Sequence, residues 1–84
     1  MEILAMQKRI NEVMMENHIR GDIVDYNTRE KMIAVEITRG DWKHDHLRMD
    51  YFMQTAYDIR SIQTQTTEEN GSDCYSAIHY YYFN

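Results

Sequence analysis

Between Trp42 and Tyr51 the chain reads WKHDHLRMDY, gathering two histidines and two aspartates within ten positions. Imidazole nitrogens and carboxylate oxygens are common ligands of zinc and other transition metals, so the segment invites a metal-site reading. Spacing narrows it. On a helix, His44 and His46 point about 200° apart and cannot grip one ion together. His46 and Asp50 lie one turn apart on one face, and His79 near the end of the chain is the third candidate ligand. A plainer reading makes Asp41 a helix N-cap, Asp45 a favourable charge in the first turn and His46 an inward side chain with a hydrogen-bond partner. No established metal-motif spacing is met, so the helix-start reading is adopted, and neither metal nor cofactor is expected.

Nucleophilic chemistry has one candidate, Cys74, which needs a histidine to activate it. His79 stands five residues further along the same expected strand and so projects from the opposite face, leaving His46 to supply the base from a helix. Lone cysteines are usually buried and inert. The three glycines, Gly21, Gly40 and Gly71, each mark a boundary, and none belongs to a phosphate-binding loop. No paired-carboxylate arrangement is readable either. The sequence predicts a protein that is not an enzyme.

The most unusual segment is the C-terminal CYSAIHYYYFN. As a strand, it puts Tyr75, His79, Tyr81 and Phe83 on one face and Ile78, Tyr80 and Tyr82 on the other. If helices cover a single face, phenol rings line the opposite one. Tyrosine suits docking surfaces because it is large, stiff and able to hydrogen-bond at its tip. The competing reading has the rings completing the core of a small domain. Aromatic sheets also stack nucleic-acid bases, but that use needs positive charge nearby, and no Lys or Arg follows Arg60.

The elements that must position these residues come in the order αββαββ. Residues 2–19 form a helix with Ile3, Met6, Ile10, Val13 and Met14 on one stripe, ended by Gly21 as a left-handed cap. DIVDY (22–26) and KMIAVEIT (31–38) are strands around a turn, the second burying Ile33, Val35 and Ile37. A second helix runs from Asp41 to about Tyr57, turning Trp42, His46, Met49, Phe52, Met53 and Ala56 inward. DIRSIQTQTT (58–67) has the weakly apolar faces of an edge strand. Asn70-Gly71 signals a hairpin into the last strand, which is apolar or aromatic on both faces and therefore central. The expectation is an α+β fold, a four-stranded antiparallel sheet with two helices on one face. The order is similar to a ferredoxin-like βαββαβ fold with its first strand moved to the end, a likeness of fold that carries no function.

At 84 residues with 43% apolar content, the chain makes one domain, residues 1–84, of a size for which self-association into a homodimer is a common remedy for a small core. One cysteine excludes an internal disulfide framework and points to a reducing, cytoplasmic setting. The opening MEILAMQKRINEV lacks the features of a secretion signal, and no stretch is long enough to span a bilayer, so no membrane association is expected. The net charge of −5 disfavours phosphate backbones and predicts no direct nucleic-acid binding. It favours a basic protein partner, including a nucleic-acid-handling one. In that picture Glu68, Glu69 and Asp73 steer the partner towards Tyr75, Tyr80, Tyr81 and Tyr82. In size, acidity and tyrosine content the chain resembles phage and mobile-element accessory proteins such as anti-CRISPR and anti-restriction inhibitors. That resemblance implies a small inhibitor that binds its target protein. The alternatives are a metal-binding protein using His46, Asp50 and His79, and a homodimeric structural domain.

Overall fold

Helix and strand follow the chain's apolar periodicity closely in the computed structural model, which describes residues 3–38, 42–68 and 75–84. The elements are α1 (Ile3–Glu16), β1 (Gly21–Asn27), β2 (Met32–Thr38), α2 (Trp42–Ala56), β3 (Ile59–Glu68) and β4 (Tyr75–Phe83). All neighbouring strands are antiparallel, in the order β1-β2-β4-β3. This is the permuted ferredoxin-like order, with the last strand inside the sheet and β3 at its edge. The expectations for Asp41, Asn70-Gly71 and Cys74 fall outside the described residues.

The 3.6-residue stripe of α1 buries Ile3, Met6, Ile10 and Met14, and α2 contributes Met49 and Met53. They meet one face of the sheet. Ile33, Val35 and Ile37 of β2 register against Tyr81, His79 and Ala77 of β4, and opposed residues of an antiparallel pair share a face. All six of these sheet residues are fully buried. Both helices therefore lie on the same side, where Ile59 and Ile62 of β3 pack partly against the core.

The end of α1 differs from expectation. The left-handed residue is His18, with φ 56°, not Gly21. Ile19 N–H donates to the Met14 carbonyl at 2.9 Å and His18 N–H to the Met15 carbonyl at 3.3 Å. This paired closure satisfies the orphan carbonyls of the last turn, and Ile19 and Met14 are both buried beside it. Gly21 instead opens β1, opposite Ile37. A Cβ there would meet Ile37 Cδ1 at 2.7 Å, and the Glu36 carbonyl oxygen and Met14 Sδ at 2.9 Å each. Its role is close approach of helix and sheet.

Arg48 ties the two helices together. It donates from Nη2 to the Asn17 carbonyl at 3.1 Å, at the C-terminal end of α1 where a cation is favoured. Its Nη1 reaches buried Asp45 at 3.1 Å, so that carboxylate does not enter the interior unpaired. No helix among the described residues is long and apolar enough to cross a membrane.

Candidate functional site

Two places collect the side chains that could act: a buried cluster beneath α2 and the helix-free face of the sheet. The cluster forms because His46 and Asp50 are one helical turn apart on α2, while His79 and Tyr81 are two apart on β4. His79 Nδ1 lies 2.8 Å from Asp50 Oδ1, and the Tyr81 hydroxyl donates to the same oxygen at 2.8 Å. The His46 and His79 rings stand 5.1 Å apart, and Tyr81 stacks on His79 at 5.9 Å. Thr64 Oγ1 of β3 approaches His79 Nδ1 at 3.4 Å. His79 and Tyr81 are fully buried, while the Asp50 side chain keeps a quarter of its surface exposed.

Electrostatics follow from that packing. Burial pushes the Tyr81 phenol well above its ordinary range, and the Asp50 charge adds to the rise. Burial also lowers the His46 pKa; repulsion from His79 adds to this and attraction to Asp50 opposes it. The structure thus brings His46, Asp50 and His79 together, with His79 held to Asp50 and His46 packed ring to ring against His79. Asp50 Oδ1 is spent on His79 and Tyr81, and no group of three His, Cys, Asp or Glu side chains among the described residues is arranged to hold a metal ion. What the cluster can do is hold a proton between a carboxylate and an imidazole. It also fixes the register of α2 on β4.

The sheet's other face is built by strand register. Met32 opposes Tyr82, Ala34 opposes Tyr80, and Glu36 opposes Ile78. Outwards on β3 these rows continue to Ser61, Gln63 and Gln65, and on β1 to Asn27, Asp25 and Asp22. Tyr80 and Tyr82 are half-buried, while Met32 and Ala34 between them and β1 are buried. The Tyr80 hydroxyl donates to Gln65 Oε1 at 3.3 Å, and the Arg60 guanidinium stands 5.6 Å from the Tyr82 ring centre. Asp22 and Asp25 are exposed and Glu36 is partly so. The helix-free face therefore grades from an amide edge that carries Arg60 beside Tyr82, across Tyr80, to an acidic edge.

Of the residues expected on a docking surface, only part share this face. Tyr81 points the other way and is sealed against α2 because β4 alternates and the helices cover its odd-numbered side. Glu68 and Tyr75 oppose each other at the far end of the β3–β4 ladder, away from Tyr80 and Tyr82 along the strand. Glu69 and Asp73 lie outside the described residues. Asp22, Asp25 and Glu36 were not singled out from sequence. Their alignment with the tyrosines depends on a register shift between Ile23 and Asp25 that no local pattern announces.

Comparison with protein families, curated proteins and solved structures finds no match to this chain.

Proposed function

We propose that this protein is a binding module that docks a basic protein on the helix-free face of its sheet. The observation that carries the reading is the cross-strand register setting Asp22, Asp25 and Glu36 alongside Tyr80 and Ile78. The rows of Tyr80 and Ile78, positions 22, 25, 34, 36, 63 and 65, hold no Lys or Arg, while Arg60 stands at the other end of the face beside Tyr82. Half-buried tyrosines supply contact area that loses little side-chain freedom on binding, and the acidic edge steers a positively charged partner and fixes its orientation. Basic proteins that handle nucleic acids fit this chemistry, and blocking such a protein is the role that fits a small acidic domain.

The test is a comparison of wild type with Asp22→Lys/Asp25→Lys, both exposed positions, in pull-downs from native lysate and in association kinetics with the captured protein. The double variant should retain its fold, associate more slowly and show a flatter dependence on salt. Equal rates and equal salt dependence for the two proteins would reject the acidic edge as the steering surface.

A further inference from the structure

The two edges of the sheet are not alike. β1 is seven residues long, carries a bulge at Ile23–Asp25 and presents Asp22 and Asp25, all devices that discourage strand addition. β3 is ten residues long, and from Ser61 to Thr67 it holds no charge, no Pro and no Gly. Its register irregularity is confined to Ile59–Ser61, at the start. As an edge strand it turns alternate backbone N–H and C=O groups outward, and among the described residues it pairs with β4 alone. Thr64 and Thr66 lie on the side of the sheet that bears the helices, yet both are exposed, so the core that covers Ile59 and Ile62 stops short of this part of β3.

We infer that β3 pairs antiparallel with β3 of a second copy of this chain, about a two-fold axis through Thr64, joining the two sheets into one. Symmetry restricts the register. In an isologous antiparallel pair the axis must pass through a residue, because opposed side chains share a face. Centring on Thr64 uses the strand from Arg60 to Glu68 in both copies. It opposes Ser61 with Thr67, Ile62 with Thr66 and Gln63 with Gln65, each twice. Threonine and isoleucine are favourable cross-strand neighbours, and the glutamines can exchange amide hydrogen bonds. Centring on Gln65 shortens the ladder to residues 62–68, and centring on Gln63 draws the irregularity at Ile59–Ser61 fully into it. The pairing buries neither tyrosine face, so it stands independently of the basic-partner reading and doubles that surface if both hold.

Sedimentation of the full chain across a wide concentration range should show a species of twice 10.2 kDa. Gln63→Lys/Gln65→Lys sets lysine against lysine at both symmetric positions while altering only exposed side chains. It should keep its melting transition and fall to 10.2 kDa. In a Cys74→Ser background, Thr64→Cys should cross-link rapidly on oxidation, because the two copies of this residue face each other across the axis, whereas Thr66→Cys should not. A single 10.2 kDa species at every concentration overturns the inference. So does a dimer indifferent to the lysine pair, equal cross-linking at positions 64 and 66, or a β3 edge occupied by a different protein while this chain stays monomeric.

Discussion

His79 Nδ1 and Asp50 Oδ1 sit 2.8 Å apart, joining the central strand of the sheet to the helix above it through one fully buried ring. The same carboxylate oxygen takes the Tyr81 hydroxyl, so two residues of β4 hang on one side chain of α2. Tyr81→Phe removes one bond and leaves the other. A hydrogen bond to a charged group contributes about 1.5–3 kcal/mol, so the variant should lose stability of that order in urea denaturation. A change near zero would mean that solvent reaches Asp50 well enough to replace the phenol.

That phenol also sets an alkaline limit. Its pKa is raised in the fold by burial and by the Asp50 charge, so the folded state holds the proton more tightly than the unfolded state does. The stabilisation is complete below the ordinary phenol pKa of 10.0 and is lost as pH rises above it. Thermal melts taken upwards from neutral pH should fall more steeply for wild type than for Tyr81→Phe. Parallel curves would contradict the assignment.

His46 works in the opposite direction. Desolvation first, and repulsion from His79 second, lower its pKa below the ordinary 6.5, with Asp50 acting against both. The unfolded chain then binds a proton that the folded chain resists, so stability should decline as pH falls through 6.5 towards the depressed value. His46→Gln should flatten this part of the curve, read from melting midpoints between neutral and mildly acidic pH. An unchanged slope would assign the acid sensitivity to other groups.

His18 offers a gain. Its φ of 56° places an ordinary L-residue in the left-handed region, a conformation that glycine adopts without the Cβ clash. Because His18 is exposed, His18→Gly exchanges little packing, and a net stabilisation of about 0.5–1 kcal/mol is expected after the added entropy of the unfolded chain. Urea midpoints measure it directly, and a loss of stability would show that the imidazole does more than close the turn.

Much of this architecture is legible in the sequence where one apolar period runs uninterrupted. The stripe Ile3, Met6, Ile10 and Met14 and the alternation Ile33, Val35 and Ile37 each specify an element and the side it buries, and the two-faced β4 specifies a central strand. The polar run IQTQTT likewise reads as an edge. The site is legible only in part, because alternation separates Tyr81 from Tyr80 and Tyr82 but leaves open which of the two sets the helices cover. The acidic row of Asp22, Asp25 and Glu36 is set by pairing between strands, a long-range property. Helix ends misled for a local reason: hydrogen bonds from His18 and Ile19 closed α1 before the glycine was reached.

Gly21 supplies the sharpest check on how helix and sheet meet. Two of the three atoms that an alanine Cβ would strike, Ile37 Cδ1 and Met14 Sδ, are the far ends of flexible side chains and can turn aside. The third, the Glu36 carbonyl oxygen at 2.9 Å, belongs to a strand paired on both sides and cannot move without disturbing two ladders. Overpacking of this kind costs about 1–3 kcal/mol, which outweighs the backbone-entropy gain of about 0.4–1 kcal/mol that Gly→Ala brings at an unstrained site. Gly21→Ala should therefore destabilise the protein. Adding Ile37→Val should not restore it to the level of Ile37→Val alone, because the carbonyl contact persists. Full recovery in that double variant would place the clash in the isoleucine tip and leave the β1–β2 backbone free to yield.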